Sequence, residues 1–196
     1  MSVEADVLDD LVRAALSRPA LLGPPGGDVE PVRLVCVDGL AGAGKTTLAA
    51  QLGAALAAQV VHMDDLYPGW GGLLEAPALL ATWVLDPMAA GRAGRYRRFD
   101  WAAGAYAEWH DVPRRPALVV EGCGAAPRAV DGVASLVIWV EADDELRLAR
   151  GLERDGTDAE EHWRAWMRDE RRLAEREGTG ERADVVLDAW GGVVRP

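Results

Sequence analysis

The chain has 196 residues, 49% of them apolar, enough for one compact domain with a core of its own and too few for two. Its 32 acidic against 21 basic residues give a net charge of −11, which argues against a nucleic-acid binder, because a duplex-binding surface needs clustered positive charge. Mean hydropathy is near zero, no apolar run approaches the roughly 20 residues of a membrane span, and the first segment MSVEADVLDDL is acidic where a signal peptide is basic, so a cytoplasmic protein without a membrane partner is expected.

In chain order, residues 3–17 carry Val3, Val7, Leu8, Leu11, Val12, Ala15 and Leu16 at helical spacing and predict an amphipathic helix. The Pro- and Gly-rich stretch 19–31 reads as a linker, so that residues 1–31 precede a main domain at 32–196. From Val32 onward short apolar runs alternate with helical stretches: 32–37, 60–63, 117–121, 135–141 and 183–188 are the expected strands. Continuous apolar strands between helices predict a parallel sheet covered on both faces. Residues 67–116 break the alternation with many aromatics and with Arg92, Arg95, Arg97 and Arg98, and such an insertion between core strands is a usual place for an acceptor site. Its plainer explanation is a packed helical cap with aromatics as core. The two cysteines, Cys36 and Cys123, and three histidines form neither a disulfide framework nor a zinc pattern.

The sharpest signal is GLAGAGKT, residues 39–46, which fits G-x-x-x-x-G-K-[ST] between a strand and a helix. Glycines there let the backbone wrap phosphate oxygens, and the helix N-terminus points free N–H groups at the anion. The predicted triphosphate-binding residues are Gly39, Ala41, Gly42, Ala43, Gly44, Lys45, Thr46 and Thr47, with Lys45 on the terminal phosphates and the Thr46 hydroxyl on Mg²⁺. Lys45 is also the only lysine in a chain otherwise supplied with arginine, which suggests that a compact ammonium is required there.

VVHMDDLY, residues 60–67, ends the second strand in Asp64 and Asp65, at the carboxyl edge where α/β sheets bind ligands. Neighbouring strand residues face opposite ways, so one of the two is expected to act as general base for an acceptor hydroxyl or to help hold metal. VVEG ends the third strand in Glu121, placed to reach Mg²⁺ beside the phosphate loop. In 145–156, Arg147, Arg150 and Arg154 share a helical face and are candidates to neutralise a transferring phosphoryl group, or else a solvated surface.

Taken together, GLAGAGKTTLA, MDDLY, RYRRFDW, VVEG, RLARGLERDG and ERADVVLD resemble, in order, the landmarks of uridine kinases, and more broadly of the uridine kinase, phosphoribulokinase and pantothenate kinase group of P-loop kinases. The resemblance covers about 32–188 and implies an α/β P-loop NTPase fold: a three-layer sandwich with a five-stranded parallel sheet, a helical insertion holding the acceptor, and an arginine lid. It implies Asp64 as the catalytic aspartate, Glu121 with Thr46 and Asp64 at the metal, and Arg150 and Arg154 in the lid. Tyr67, Phe99, Asp100 and Trp101 would lie near the acceptor, with Asp65 and Trp70 beside them. The implied activity is ATP- and Mg²⁺-dependent phosphoryl transfer to a nucleoside-like small molecule. The His and Arg that follow the Y-D-F segment in uridine kinases have no counterpart in AAGAYAEWH. A nucleoside monophosphate kinase, using the Arg92–Arg98 cluster, and an ATP-driven switch are the alternatives; a regulatory GTPase is excluded because its N-K-x-D segment needs a second lysine. Whether the chain forms a homo-oligomer is open.

Overall fold

The computed structural model describes residues 2–26 and 29–195; Met1, Pro196 and two residues of the expected linker, Gly27 and Asp28, lie outside the described residues. The chain runs α1 (Ala5–Ser17), β1 (Arg33–Gly39), α2 (Lys45–Ala55) and β2 (Gln59–His62), then a single 3-10 turn, Met63–Asp65. The insertion holds α3 (Ala76–Leu80), a π-helical turn (Ala81–Leu85), α4 (Asp86–Ala89), β3 (Gly94–Asp100) and β4 (Ala105–Val112). The core resumes with β5 (Ala117–Glu121), β6 (Ala134–Val140), α5 (Asp144–Asp155), α6 (Glu160–Glu177), α7 (Thr179–Arg182), β7 (Val185–Leu187) and β8 (Val193–Arg195). No helix among the described residues is long and apolar enough to cross a membrane.

The main sheet has six strands in the order β2-β5-β1-β6-β7-β8, one more than the five expected. The first five are parallel, and β8 returns antiparallel on β7 as an edge strand. Its brevity hid it: Val193 and Val194 follow two glycines, and the turn depends on the Asp188 carboxylate accepting from the amides of Trp190 and Gly192, 2.8 Å each. The strands alternate between two cores, as the pleat requires. Val35 and Val37 of β1 face α1 and α2 together with Val119, Leu136 and Ile138, while Leu34 and Cys36 face the insertion and α6. Helix α1 thus covers one face of the sheet, with Leu11 and Ala15 buried.

Across the stretch expected to be a plain linker, Leu22 and Val32 exchange backbone hydrogen bonds of 3.2 and 2.9 Å and are both buried. The insertion is only half helical. Its second half is an antiparallel hairpin, β3–β4, in which Tyr96 stacks on His110 across the strands and Arg95 lies 4.5 Å over the Trp109 ring. Arg97 and Arg98 of that cluster serve the same hairpin. Arg97 donates to the carbonyls of Tyr106 and Ala107, and Arg98 pairs with Glu108 and Asp100. Cross-strand aromatic and charge pairs of this kind are what hold a two-stranded sheet.

Candidate active site

Strand β1 delivers the chain into the glycine-rich loop, and α2 begins at Lys45 with Gly44 left-handed at its N-cap (φ 106°). Gly42 has φ +80°, and a Cβ on it would stand 2.6 Å from the backbone oxygen of Arg147, so only glycine fits. Lys45 is almost fully buried. Its Nζ donates to the Leu40 carbonyl at 2.9 Å and lies 3.7 Å from Cys123 Sγ. Burial opposes its charge, but Cys123 and the carboxylates of Glu121, Glu170 and Asp38 more than offset this and raise its pKa. The Asp38 carboxylate, buried at the end of β1, accepts from the amides of Gly39, Gly124 and Ala126 and so ties the loop to the turn after β5. Desolvation pushes its pKa up, and those backbone donors pull against it.

The parallel register sets His62 beside Glu121 at the ends of β2 and β5. Glu121 Oε1 receives two hydrogen bonds, from Thr46 Oγ1 at 3.1 Å and from His62 Nδ1 at 2.6 Å. An ionised carboxylate only accepts, so His62 carries its proton on Nδ1, and that bond foremost raises the His62 pKa. His62 drew no attention in the sequence because its partner lies 59 residues away; strand-end adjacency is the signal that finds it. Asp64 sits in the 3-10 turn, open to the cavity but enclosed by protein behind. Desolvation and then the Glu121 charge raise its pKa, against Lys45, Arg154 and His62. The turn sends Asp65 elsewhere, to accept from Tyr96 OH at 3.0 Å.

The arginine face of α5 divides. Arg147 is fully buried and grips the loop: Nη1 donates to the Ala41 carbonyl at 2.9 Å and to Glu170 Oε1 at 2.5 Å. Glu170, buried on α6, accepts the Ala41 amide at 2.6 Å, so one ion pair holds both polar groups of that residue. Arg150 donates to the Gly42 carbonyl at 3.1 Å. Arg154, paired with Asp155 and 5.7 Å over the Trp163 ring, is the most exposed of the three and lines the cavity with Arg150. Glu170→Ala leaves Arg147 with the half-exposed Asp144 as its remaining carboxylate partner and is expected to cost about 1–3 kcal/mol in chemical denaturation, whereas the double change Arg147→Met/Glu170→Leu recovers most of that loss.

One cavity of about 570 Å³ joins these groups. Its floor is the loop (Ala41, Gly42, Gly44, Lys45, Thr46), its middle Asp64 and Glu121, and its far wall Tyr67, Trp70, Trp101, Trp163 and Trp166. Trp163 and Trp166 come from α6, where both lie on its buried face. Of the expected residues, Ala43, Thr47, Asp65, Phe99 and Asp100 lie outside this lining, as does Gly39. Phe99 packs beneath Trp101 at 5.6 Å, and Asp100 accepts from the Ala103 amide to close the hairpin turn. Gly151 of α5 abuts the wall: a Cβ on it would come 2.3 Å from the Trp163 ring. Gly151→Ala is expected to lower stability by about 1–3 kcal/mol, read as a fall in Tm.

Hard oxygen donors suit Mg²⁺, which is commonly held by one or two carboxylates together with substrate phosphates. Thr46, Glu121 and Asp64 provide such a set; among the described residues no group of three His, Cys, Asp or Glu side chains converges as a closed metal cage.

Sheet order, loop and covering helices together define the P-loop nucleoside-triphosphate-binding fold. No family model matches the chain, and no curated protein matches it. Among solved structures it is similar to a proposed uridine kinase from Bacillus stearothermophilus, at 20% identity, covering 93% of this chain and 98% of that one with a TM-score of 0.64. It is also similar to a proposed fructose transport system kinase from Silicibacter sp. TM1040, at 22% identity, covering 87% and 94% with a TM-score of 0.59. At these identities the likeness establishes the shared fold.

Proposed function

We propose that this chain is an ATP-dependent phosphotransferase of the uridine kinase, phosphoribulokinase and pantothenate kinase group. It moves the γ-phosphoryl group to a hydroxyl of a small acceptor, nucleosides included. The observation that carries this reading is the single cavity in which the phosphate loop and Asp64 face an aromatic-walled space. The acceptor oxygen attacks the γ-phosphorus while its proton passes to the Asp64 carboxylate. The bond from phosphorus to the bridging oxygen breaks, and ADP leaves with that oxygen. Lys45 and Arg154 offset the charge on the transferring group. Mg²⁺, bound by Thr46 and Glu121 with Asp64 beside them, would supply further neutralisation of the phosphates.

Against the monophosphate kinase alternative, Arg95, Arg97 and Arg98, three of the four arginines that suggested it, are engaged by their own hairpin. The test is ADP formation from ATP and Mg²⁺ with and without a panel of nucleosides, nucleotides, sugars and vitamin precursors. Stimulation by one small alcohol with a phosphorylated product is expected. Hydrolysis indifferent to every small molecule but raised by a protein partner would instead identify a switch.

A further inference from the structure

The far wall of the cavity is built of rings, and the polar atoms of Tyr67, Trp101 and Trp163 are already committed. Trp70 meets Trp101, Trp163 and Trp166 edge to face, at centroid distances of 5.4, 6.3 and 5.9 Å, and Trp166 meets Tyr67 at 4.8 Å. The Tyr67 hydroxyl donates to the Cys123 carbonyl at 2.9 Å, Trp101 Nε1 to the Asp64 carbonyl at 3.0 Å, and Trp163 Nε1 to Asp155 at 2.9 Å. These bonds brace the wall and leave those three groups unable to serve a ligand.

The carboxamide side chains that read a hydrogen-bonding edge are missing from the lining. The chain contains no asparagine, and its only glutamines are Gln51 and Gln59. Gln51 bonds the Val3 backbone and Gln59 the Asp111 carbonyl, both away from the cavity. A nucleobase edge or a free sugar placed against this wall would exchange water for rings and leave its polar groups unpaired, which is costly. A second phosphate on the acceptor fares no better. Arg150 is held by the loop's carbonyls, and Arg154, paired with Asp155, is already assigned to the transferring phosphoryl group. One acceptor hydroxyl, by contrast, is served: it meets Asp64. Offset and edge-to-face contacts with a flat body use the rings as they stand.

We infer that the acceptor is an uncharged alcohol carried on a flat, weakly polar ring body, bound through ring contacts and not through a hydrogen-bonded edge. The inference rests on the phosphotransferase reading of the same cavity. It places a plain aryl alcohol above a nucleoside, and both above a free sugar or a nucleotide.

Calorimetric titration of the full chain with Mg²⁺ and a non-hydrolysable ATP analogue tests it, using indole-3-ethanol, uridine, ribose and uridine monophosphate as probes, followed by product analysis with ATP. Indole-3-ethanol is expected to bind at least about 10-fold more tightly than ribose or uridine monophosphate. Trp101→Ala, at the open edge of the wall, should weaken indole-3-ethanol about 10-fold more than it weakens the ATP analogue. Trp166→Phe, which keeps a ring at the buried end, should weaken it less. Tight binding of uridine, ribose or uridine monophosphate with none of indole-3-ethanol overturns the inference, and so does indole-3-ethanol binding indifferent to Trp101→Ala. Indole-3-ethanol that binds as expected but is never phosphorylated supports the ligand class and counts against the phosphotransferase reading alone.

Discussion

Lys45→Ala is expected to abolish measurable phosphoryl transfer and to weaken triphosphate binding. The ammonium stands buried at the floor of the cavity, 2.9 Å from the Leu40 carbonyl, among the carboxylates of Glu121, Glu170 and Asp38. Removing it takes away the one lysine of the chain and leaves those negative charges facing an incoming polyphosphate. Losing a single preorganised group of this kind typically costs roughly 10²–10³ in kcat, and the loss here is larger because ground-state binding suffers too. Lys45→Arg is expected not to restore activity, since a planar guanidinium does not match a space shaped by Leu40 and Cys123 around a compact ammonium. Equilibrium titration with ATP and single-turnover kinetics separate the two effects. Near-parental ATP affinity in Lys45→Ala would remove the loop from the mechanism.

Asp64→Asn has the opposite signature. ATP is expected to bind nearly as before, while transfer is expected to fall by about 10²–10⁴, the usual worth of a positioned general base. The amide is isosteric, and the bond that anchors the hairpin here, from Trp101 Nε1, goes to the Asp64 backbone carbonyl and survives the change. Measuring kcat and the ATP dissociation constant side by side checks the split. Parental turnover in Asp64→Asn would leave Asp65 an unsuitable substitute, because its carboxylate is occupied by Tyr96 on the hairpin side. Base catalysis by the protein would then have to be abandoned in favour of proton transfer to the phosphate itself.

Much of the fold was legible in the sequence. Strand β5 was found to the residue, and β1, β2, β6 and β7 within one or two residues of their ends, because parallel strands buried on both faces are unbroken apolar runs. Strand β8 escaped because an edge strand of three residues has almost no pattern to show. The hairpin escaped because Gly94–Asp100 reads RYRR at its centre. Those arginines settle on Trp109 and on backbone carbonyls only once β4 lies alongside. The arginine face of α5 was visible as spacing. That Arg147 points inward and Arg154 to the cavity depends on α6 presenting Glu170 to one and Trp163 to the other.

By itself, then, the sequence determined the phosphate loop, the singular Lys45, and the carboxylates Asp64, just past β2, and Glu121, at the end of β5. Each of these is local: a strand, a turn and a helix adjoining in the chain set the geometry within a dozen residues. Only the tertiary structure decided what surrounds them. His62 meets Glu121 through strand pairing, Glu170 reaches the Ala41 amide from 129 residues away, and Trp163 and Trp166 turn a nominal core face into the wall of the cavity. Helical spacing shows that a face is buried, but which neighbour it meets is set by the packing of the whole domain.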